Sequence, residues 1–317
     1  MPAHTLRYEH DGQTHWGLLR DDAVLRIPGN FATTGEFVSA VRVADLLALD
    51  GPPLPLSEVR VLSPVTRNQR FVCQGANYRQ HMIDSGVNPD DKNFNMIFTK
   101  APSCIVPADS DIVRPPVCKL LDYEIELGLV IRGAIEAPVQ VTEANLGDYV
   151  AGVVIVNDVT ARDIQLPQMQ FYKGKSFRTF GPVGPVLCLL EQGDMRYLSD
   201  LQLRLSVNGQ VRQSDNTANL VYKPAETLTE LSSVHDFAAG DLLSTGTPSG
   251  CALKAPSPLM QKIAALLPER TKWTMFQQGQ EARPQYLKDG DRLEASIRSS
   301  DGKIDLGVQR NLVVNGA

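Results

Sequence analysis

The sequence predicts an α+β fold dominated by β-strands, and three observations predict it. Short apolar or alternating stretches recur along the chain with turn residues between them. Helical periodicity is confined to a few short segments. Strands and helices do not alternate in a βαβ rhythm, which excludes a doubly wound sheet. With 317 residues, 43% of them hydrophobic, the chain can bury a sizeable core, in one large domain or a large and a small one.

The elements follow in order. Residues 6–28 hold two hairpin-like turns, Asp11-Gly12 and Arg20-Asp21-Asp22, between short apolar stretches, and read as a small β-meander. The proline-rich segment LDGPPLPLSEVRVLSP (49–64) is the best linker candidate, so a small N-terminal β domain is expected over 1–62 and a main domain over 63–317. Strands are expected at 70–75 (RFVCQG), 95–100 (NMIFTK) and 121–133 (LDYEIELGLVIRG). YVAGVVIVND (149–158) is apolar almost throughout, as suits a strand buried on both faces. VGPVLCLL (183–190) is similar. LQLRLSVNGQVRQ (201–213) alternates around Asn208-Gly209, a strong hairpin signal. DLLSTG (241–246) is a strand ending in glycine, and 292–314 closes the chain as a hairpin around Asp301-Gly302. Helices are expected at 79–86, as a turn after Thr160, at 226–238 and at about 258–267.

Composition narrows the function. A net charge of −5 gives no basic surface for nucleic acid or an anionic membrane. No apolar run approaches the roughly 20 residues of a membrane span. MPAHTLRYEHDG has no apolar core of a secretory signal. The five cysteines (Cys73, Cys104, Cys118, Cys188 and Cys251) are scattered and contain no CxxC, which argues against a disulfide framework or zinc site and for a reducing cytoplasm.

Several clusters can carry chemistry. In LDYEIELGLVIRG, the apolar Tyr123, Ile125, Leu127 and Leu129 alternate with Asp122, Glu124 and Glu126. On one extended strand the three acids share a face, where like charges repel and raise one another's pKa. Two readings stand: a solvated edge that deters aggregation, or a divalent cation that keeps the acids ionised. Oxygen-only ligands select Mg²⁺, Mn²⁺ or Ca²⁺ over zinc. Asp158 lies where the next apolar run ends, as a site acid or as part of a turn that caps the helix following Thr160. His81 and Asp84 are three apart on a short helix, either a solvated pair or a general base with its orienting acid. Lys173 and Lys175 lie in YKGKSFRTFGPVGP, expected as a loop before a strand, where a lysine is solvated or reaches an anionic oxygen. DLLSTGTPSG offers small residues whose amides can approach a ligand, but it lacks the lysine of a P-loop.

The order of QGANYRQH, LDYEIELGLVIRG, NDVTARDIQ, GKSFRTFGPVGP and GDLLSTGTPSG, with KAPS at 100–103 and the terminal RNLVV, resembles the fumarylacetoacetate hydrolase (FAH) family over about 70–254 and 286–314. The resemblance implies a mixed β-sandwich roll with few helices and a homodimer. It implies metal ligands at Glu124, Glu126 and Asp158 for Mg²⁺ or Mn²⁺, with Asp122 outside the ligand set. It also implies a lid over about 77–92, a His81–Asp84 dyad and a catalytic lysine at Lys175. Substrate contacts fall on Arg162, Gln165 and Thr247. Many members carry Glu where this chain has Asp84, a shorter reach for the dyad. An insertion at about 255–284, which includes Trp273 and Phe276, separates the Gly-Thr-Pro loop from the KDGD turn at 288–291.

The expected function is hydrolysis of a C–C bond in a β-diketo or acylpyruvate-type 2-oxo acid. His81, oriented by Asp84, would activate water, while metal and Lys175 stabilise the enolate. Decarboxylation of an oxaloacetate-like diacid, or tautomerisation, is the alternative on the same platform. A catalytically inactive metal-binding protein of this fold is the non-enzyme alternative, against which the intact His81, Asp84 and Lys175 stand.

Overall fold

In the computed structural model, residues 1–254 and 266–316 are described. Two large sheets face each other. The larger has eleven strands and runs, from one edge, Pro53–Pro55, Ala23–Arg26, Gln13–Arg20, Ala3–His10, Leu187–Leu189, Val150–Asn157, Ile125–Ile131, Leu242–Ser244, Phe71–Gly75 and Met96–Lys100, with Arg60–Leu62 also paired to Ala3–His10. The smaller has five: Gln210–Asn216, Leu201–Val207, Arg292–Ser299, Asp305–Asn315 and Ile112–Arg114. It packs across Ile125–Ile131 and Val150–Asn157, so the core sits between the two sheets. The architecture is the expected mainly β, mixed sandwich.

The expected meander forms, and its first strand continues the large sheet by pairing Thr5 with Leu187. The proline-rich 49–64 stretch supplies two short strands to the same sheet. The Asn208-Gly209 hairpin forms with both residues at positive φ, 51° and 77°, the backbone a two-residue turn needs to match strand twist. The expected 226–238 helix is shorter, Pro224–Ser232. In the insertion, the helix expected near 258–267 falls largely outside the described residues, while Glu269–Glu281 is a helix that the polar, Gln-rich sequence did not announce.

The acidic stretch differs most from expectation. It is two strands, not one. Leu121–Asp122 pairs with Thr160–Ala161, and the chain then turns into Ile125–Ile131, which lies between Val150–Asn157 and Leu242–Ser244. All seven residues of Ile125–Ile131 are buried, Glu126 included, which rules out a solvated edge. Burying each Ile or Leu here contributes about 1.5–3 kcal/mol, enough to hold the strand inside the sheet despite its acid. Gly128 has a structural reason: an added Cβ would lie 2.8 Å from Val156 Cγ2 and 2.9 Å from Leu242 Cδ1.

Candidate active site

Two neighbouring strands bring the acids together. Glu124 precedes Ile125–Ile131, Glu126 lies inside it, and Asp158 follows Val150–Asn157. The pairing of Ile125 with Asn157 sets this register, and Asp158 N–H donates to Glu124 O at 2.8 Å. Each carboxylate offers one oxygen such that all three oxygens lie within 4.8 Å of one another, and all three residues are buried. The break at Tyr123 turns Asp122 away from this group, onto the backbone N–H groups of Ala252 and Leu253.

Cations surround the acids. Lys175 Nζ donates to Glu124 Oε2 and Asp158 Oδ2, both at 2.6 Å, and to Thr160 Oγ1 at 2.8 Å. It projects from the end of the short helix Phe171–Lys175 rather than from the loop that the glycines suggested. Arg162 donates to Asp122 Oδ2 at 2.8 Å, to Gln165 Oε1 at 3.0 Å and to Glu124. Lys100, to which sequence reasoning gave no role, is buried with Nζ 2.6 Å from Asp158 Oδ1 and 2.7 Å from Phe180 O. Its signal was a lysine ending a mostly apolar strand, MIFTK, which means a site only if that strand ends beside Asp158.

Electrostatics separate the acids. Burial works to raise the Glu124 pKa, but Arg162 and Lys175 outweigh it and hold the carboxyl at about 2. Burial, with Asp158 and Glu124 as like charges, pushes Glu126 well above the usual carboxylate range. Among the described residues Glu126 accepts only from neutral donors: the Ser244 hydroxyl and, at 3.0 Å, Gly246 N–H. Gly246 has φ +88°, a backbone that favours glycine. Four buried carboxylates (Asp122, Glu124, Glu126 and Asp158) thus face three buried cations (Lys100, Arg162 and Lys175). The uncompensated charge falls at Glu126. A hard divalent cation fits that deficit and the oxygen-only donor set.

The other expected site residues lie around this group. His81 is half-buried on the helix Arg79–Asp84, and burial lowers its pKa, against Glu124 and with Arg162. Among the described residues no hydrogen bond or ion pair joins His81 to Asp84. The Asp84 carboxylate instead accepts from Gln80 Nε2 at 2.8 Å and from the Ser249 hydroxyl. Within residues 77–92 an exposed ion pair joins Arg79 to Asp90 at 2.5 Å, and Lys92 reaches Glu226 outside the segment at 2.8 Å. The Thr247 hydroxyl donates to Ile125 O at 2.9 Å and accepts from Gln213 Nε2 at 2.8 Å, so in this structure it braces the strand. Cys251 Sγ lies 3.9 Å from Glu124 Oε1. Gln213 and Ser244 also escaped the sequence reading, being ordinary polar residues of strands.

Lys100 yields a stability prediction. Burial works to lower its pKa, but Asp158 and the Cys104 and Cys73 thiols outweigh this, so the shift is upward. Its contribution to stability is therefore complete below the unfolded lysine value of about 10.4 and is lost as pH rises through the higher folded value. Lys100→Met is expected to cost about 3–5 kcal/mol at neutral pH, because it strands one oxygen of a buried carboxylate. Denaturant unfolding checks it, and a loss below about 1 kcal/mol would show that Lys175 alone satisfies Asp158.

Comparison with known proteins agrees with this architecture. Residues 70–314 match the family model described as fumarylacetoacetate (FAA) hydrolase C-terminal, and residues 4–64 match one described as Rv2993c-like, N-terminal. The chain is 37% identical to oxaloacetate tautomerase YisK of Bacillus subtilis over 62% of this chain, a match that spans 64% of that protein's length. It is also 37% identical to the mitochondrial oxaloacetate tautomerase FAHD2A of Bos taurus, over 73% of this chain and 72% of that protein. Among solved structures, the fumarylacetoacetate hydrolase of Exiguobacterium antarcticum aligns with a TM-score of 0.75 at 28% identity, covering 99% of this chain and all of that one. No helix among the described residues is long and apolar enough to cross a membrane. A family model spanning most of the chain, over a β-sandwich whose strand ends gather three acids, makes the protein an enzyme of the fumarylacetoacetate hydrolase family.

Proposed function

We propose that the protein enolises a small 2-oxo dicarboxylic acid, interconverting the keto and enol forms of an oxaloacetate-like substrate. The observation that carries this is Lys175: its ammonium is bonded to Glu124 and Asp158, beside the acid triad and within the field of Arg162. An ammonium fixed in this way is a preorganised donor, and it stabilises an oxyanion that develops beside it. The two oxaloacetate tautomerases to which the chain is similar are named for the same substrate class.

Glu124, Glu126 and Asp158 would hold Mg²⁺ or Mn²⁺. When bound, such an ion supplies Lewis-acid polarisation of a 2-oxo group. The chain's own residues then divide the work. Arg162, paired with Gln165, faces a substrate carboxylate. His81, neutral because burial disfavours its charged form, takes the proton from C3. The electron pair forms the C2–C3 double bond, the 2-oxo oxygen gains the charge beside Lys175, and return of the proton to that oxygen gives the enol. The reverse sequence restores the ketone.

Hydrolysis of an acylpyruvate shares this enolate but also needs a water held by an oriented base. The Asp84 carboxylate is bonded to Gln80 and Ser249, so a proton shift requires the smaller rearrangement. A cytoplasmic homodimer completes the proposal. The test follows the enol-to-keto conversion of oxaloacetate, with pyruvate and CO₂ scored separately and acylpyruvate cleavage in parallel, each with and without Mn²⁺. Conversion no faster than in buffer would sink the tautomerase reading, and acylpyruvate cleavage alone would establish the hydrolase instead.

The role of His81 predicts a pH profile. Its folded pKa lies below the ordinary imidazole value of about 6.5. A base works above its pKa, so activity is expected to hold through neutral pH and to fall only at pH below about 6.5. His81→Gln should lower kcat by about 10²–10⁴-fold and remove that acid limb. An unchanged limb in the variant would assign it to another group.

A further inference from the structure

We propose that Asp122 is a positioning residue that couples the base of the 255–284 insertion to Arg162, so that the insertion helps to set the geometry of the substrate site. This rests on the proposed role of Arg162 toward substrate. Asp122 lies outside the acid triad, yet its buried carboxylate is among the most fully bonded groups in the molecule. Oδ1 accepts from Tyr123 N at 2.9 Å and Ala252 N at 2.7 Å, and Oδ2 accepts from Leu253 N at 3.0 Å and Arg162 Nε at 2.8 Å. These donors come from three chain segments. One is the strand end itself, one is the helix that carries Arg162, and the third is the turn from which the insertion departs.

The far end of the insertion returns to the same place. Arg283 Nε donates to Ala252 O at 3.1 Å, and Gln280 Nε2 donates to Lys254 O at 3.0 Å. Tyr286 Oη donates to Gln280 Oε1 at 2.9 Å, and Leu287 N donates to Leu121 O at 2.9 Å. The helix Glu269–Glu281 is thereby fastened through 252–254 onto the backbone and side chain of 121–122. From Asp122 the path continues through Arg162 to Glu124 and Gln165. A displacement of the helix base would have to break charge-assisted hydrogen bonds at Asp122 or carry Arg162 with it. That explains why an acid occupies this position although it lies outside the acid triad. A neutral amide cannot replace it, because Asn in either orientation turns its NH₂ group toward two N–H donors.

The test uses the full-length, Mn²⁺-loaded protein and four forms: wild type, Asp122→Asn, Arg283→Ala and the double variant. Oxalate, a compact analogue of the 2-oxo acid head, is titrated calorimetrically, and amide exchange is followed over 269–281. Asp122→Asn is expected to weaken oxalate binding by about 10- to 100-fold, the range for a hydrogen bond to a charged group, and to raise exchange in the helix. Arg283→Ala should weaken oxalate less. In the double variant it should add nothing, because the route from Arg283 to Arg162 runs through Asp122. Effects that multiply, or oxalate affinity unchanged in Asp122→Asn, overturn the coupling. If Asp122→Asn does not fold, Arg283→Ala alone decides: weaker oxalate binding, restored in Arg283→Lys, supports the coupling, and unchanged affinity with raised exchange refutes it. Exchange needs no ligand. It therefore still tests the coupling if oxalate fails to bind the wild type, a result that would count against the proposed substrate site.

Discussion

Asp158→Ala is expected to abolish cation-dependent turnover and to destabilise the fold. Asp158 supplies one of the three oxygens gathered within 4.8 Å, and its removal leaves Glu124 and Glu126 as the remaining acids of the triad. Two carboxylates can still attract a divalent ion, but they lose the charge and the third ligand that set its place. Turnover should fall to background at cation levels that saturate the wild type, and calorimetric titration should show the ion's affinity lost. Stability falls for a separate reason. Lys100 and Lys175 each donate to Asp158 at 2.6 Å, and both are buried. Without Asp158, Lys100 keeps the Phe180 carbonyl alone, an uncompensated buried charge that costs about 3–5 kcal/mol. Asp158→Asn separates the two effects, since it keeps the shape and one acceptor. It should recover part of the stability and none of the turnover. Full cation-dependent turnover in the purified alanine variant would refute Asp158 as a ligand.

Lys175→Met is the second large effect, and here stability and catalysis should part. The ammonium offsets the mutual repulsion of Glu124 and Asp158 through two bonds of 2.6 Å, and the attraction of those acids raises its own pKa despite burial. In the cation-free protein its loss should cost at least the about 3–5 kcal/mol of a broken buried ion pair and lower the melting temperature accordingly. Excess Mn²⁺ should restore most of that stability by replacing the missing positive charge. It should not restore kcat, expected to stay about 10²–10³-fold below wild type because the oxyanion has lost its fixed donor. Recovery of kcat with Mn²⁺ would mean that Lys175 only balances charge. A loss confined to KM would place it in substrate binding.

Much of this site was legible in the sequence. Glu124, Glu126 and Asp158 sit beside strongly apolar runs, and acids there demand a reason whatever the fold. The apolar runs at 125–131 and 150–157 also announced strands of the sheet interior, and Asn208-Gly209 announced its hairpin. These signals are local: burial pattern, turn chemistry and like-charge crowding are properties of neighbouring residues. The break at Tyr123 was not legible, because LDYEIE alternates without interruption across it. The turn exists because Leu121–Asp122 finds its partner in Thr160–Ala161 while Ile125–Ile131 finds two others. The spacing of His81 and Asp84 suggested contact, but Ser249, 165 residues away from Asp84, takes part of that carboxylate instead.

Chain order and residue type were thus enough to anticipate a mainly β chain in which Glu124, Glu126 and Asp158 are candidate cation ligands, with a helical histidine and a lysine as candidate partners. The roles of Asp122 and Lys100 came from the fold. Asp122 looked like a third member of an acidic row and is a clamp between Arg162 and the insertion base, 130 residues further along. Lys100 looked like an ordinary strand end and is the second counter-ion of Asp158, 58 residues away. The physical reason is common to both. A buried charge is tolerated only where its partners are, and those partners are supplied by strand pairing and sheet packing between segments remote in the chain.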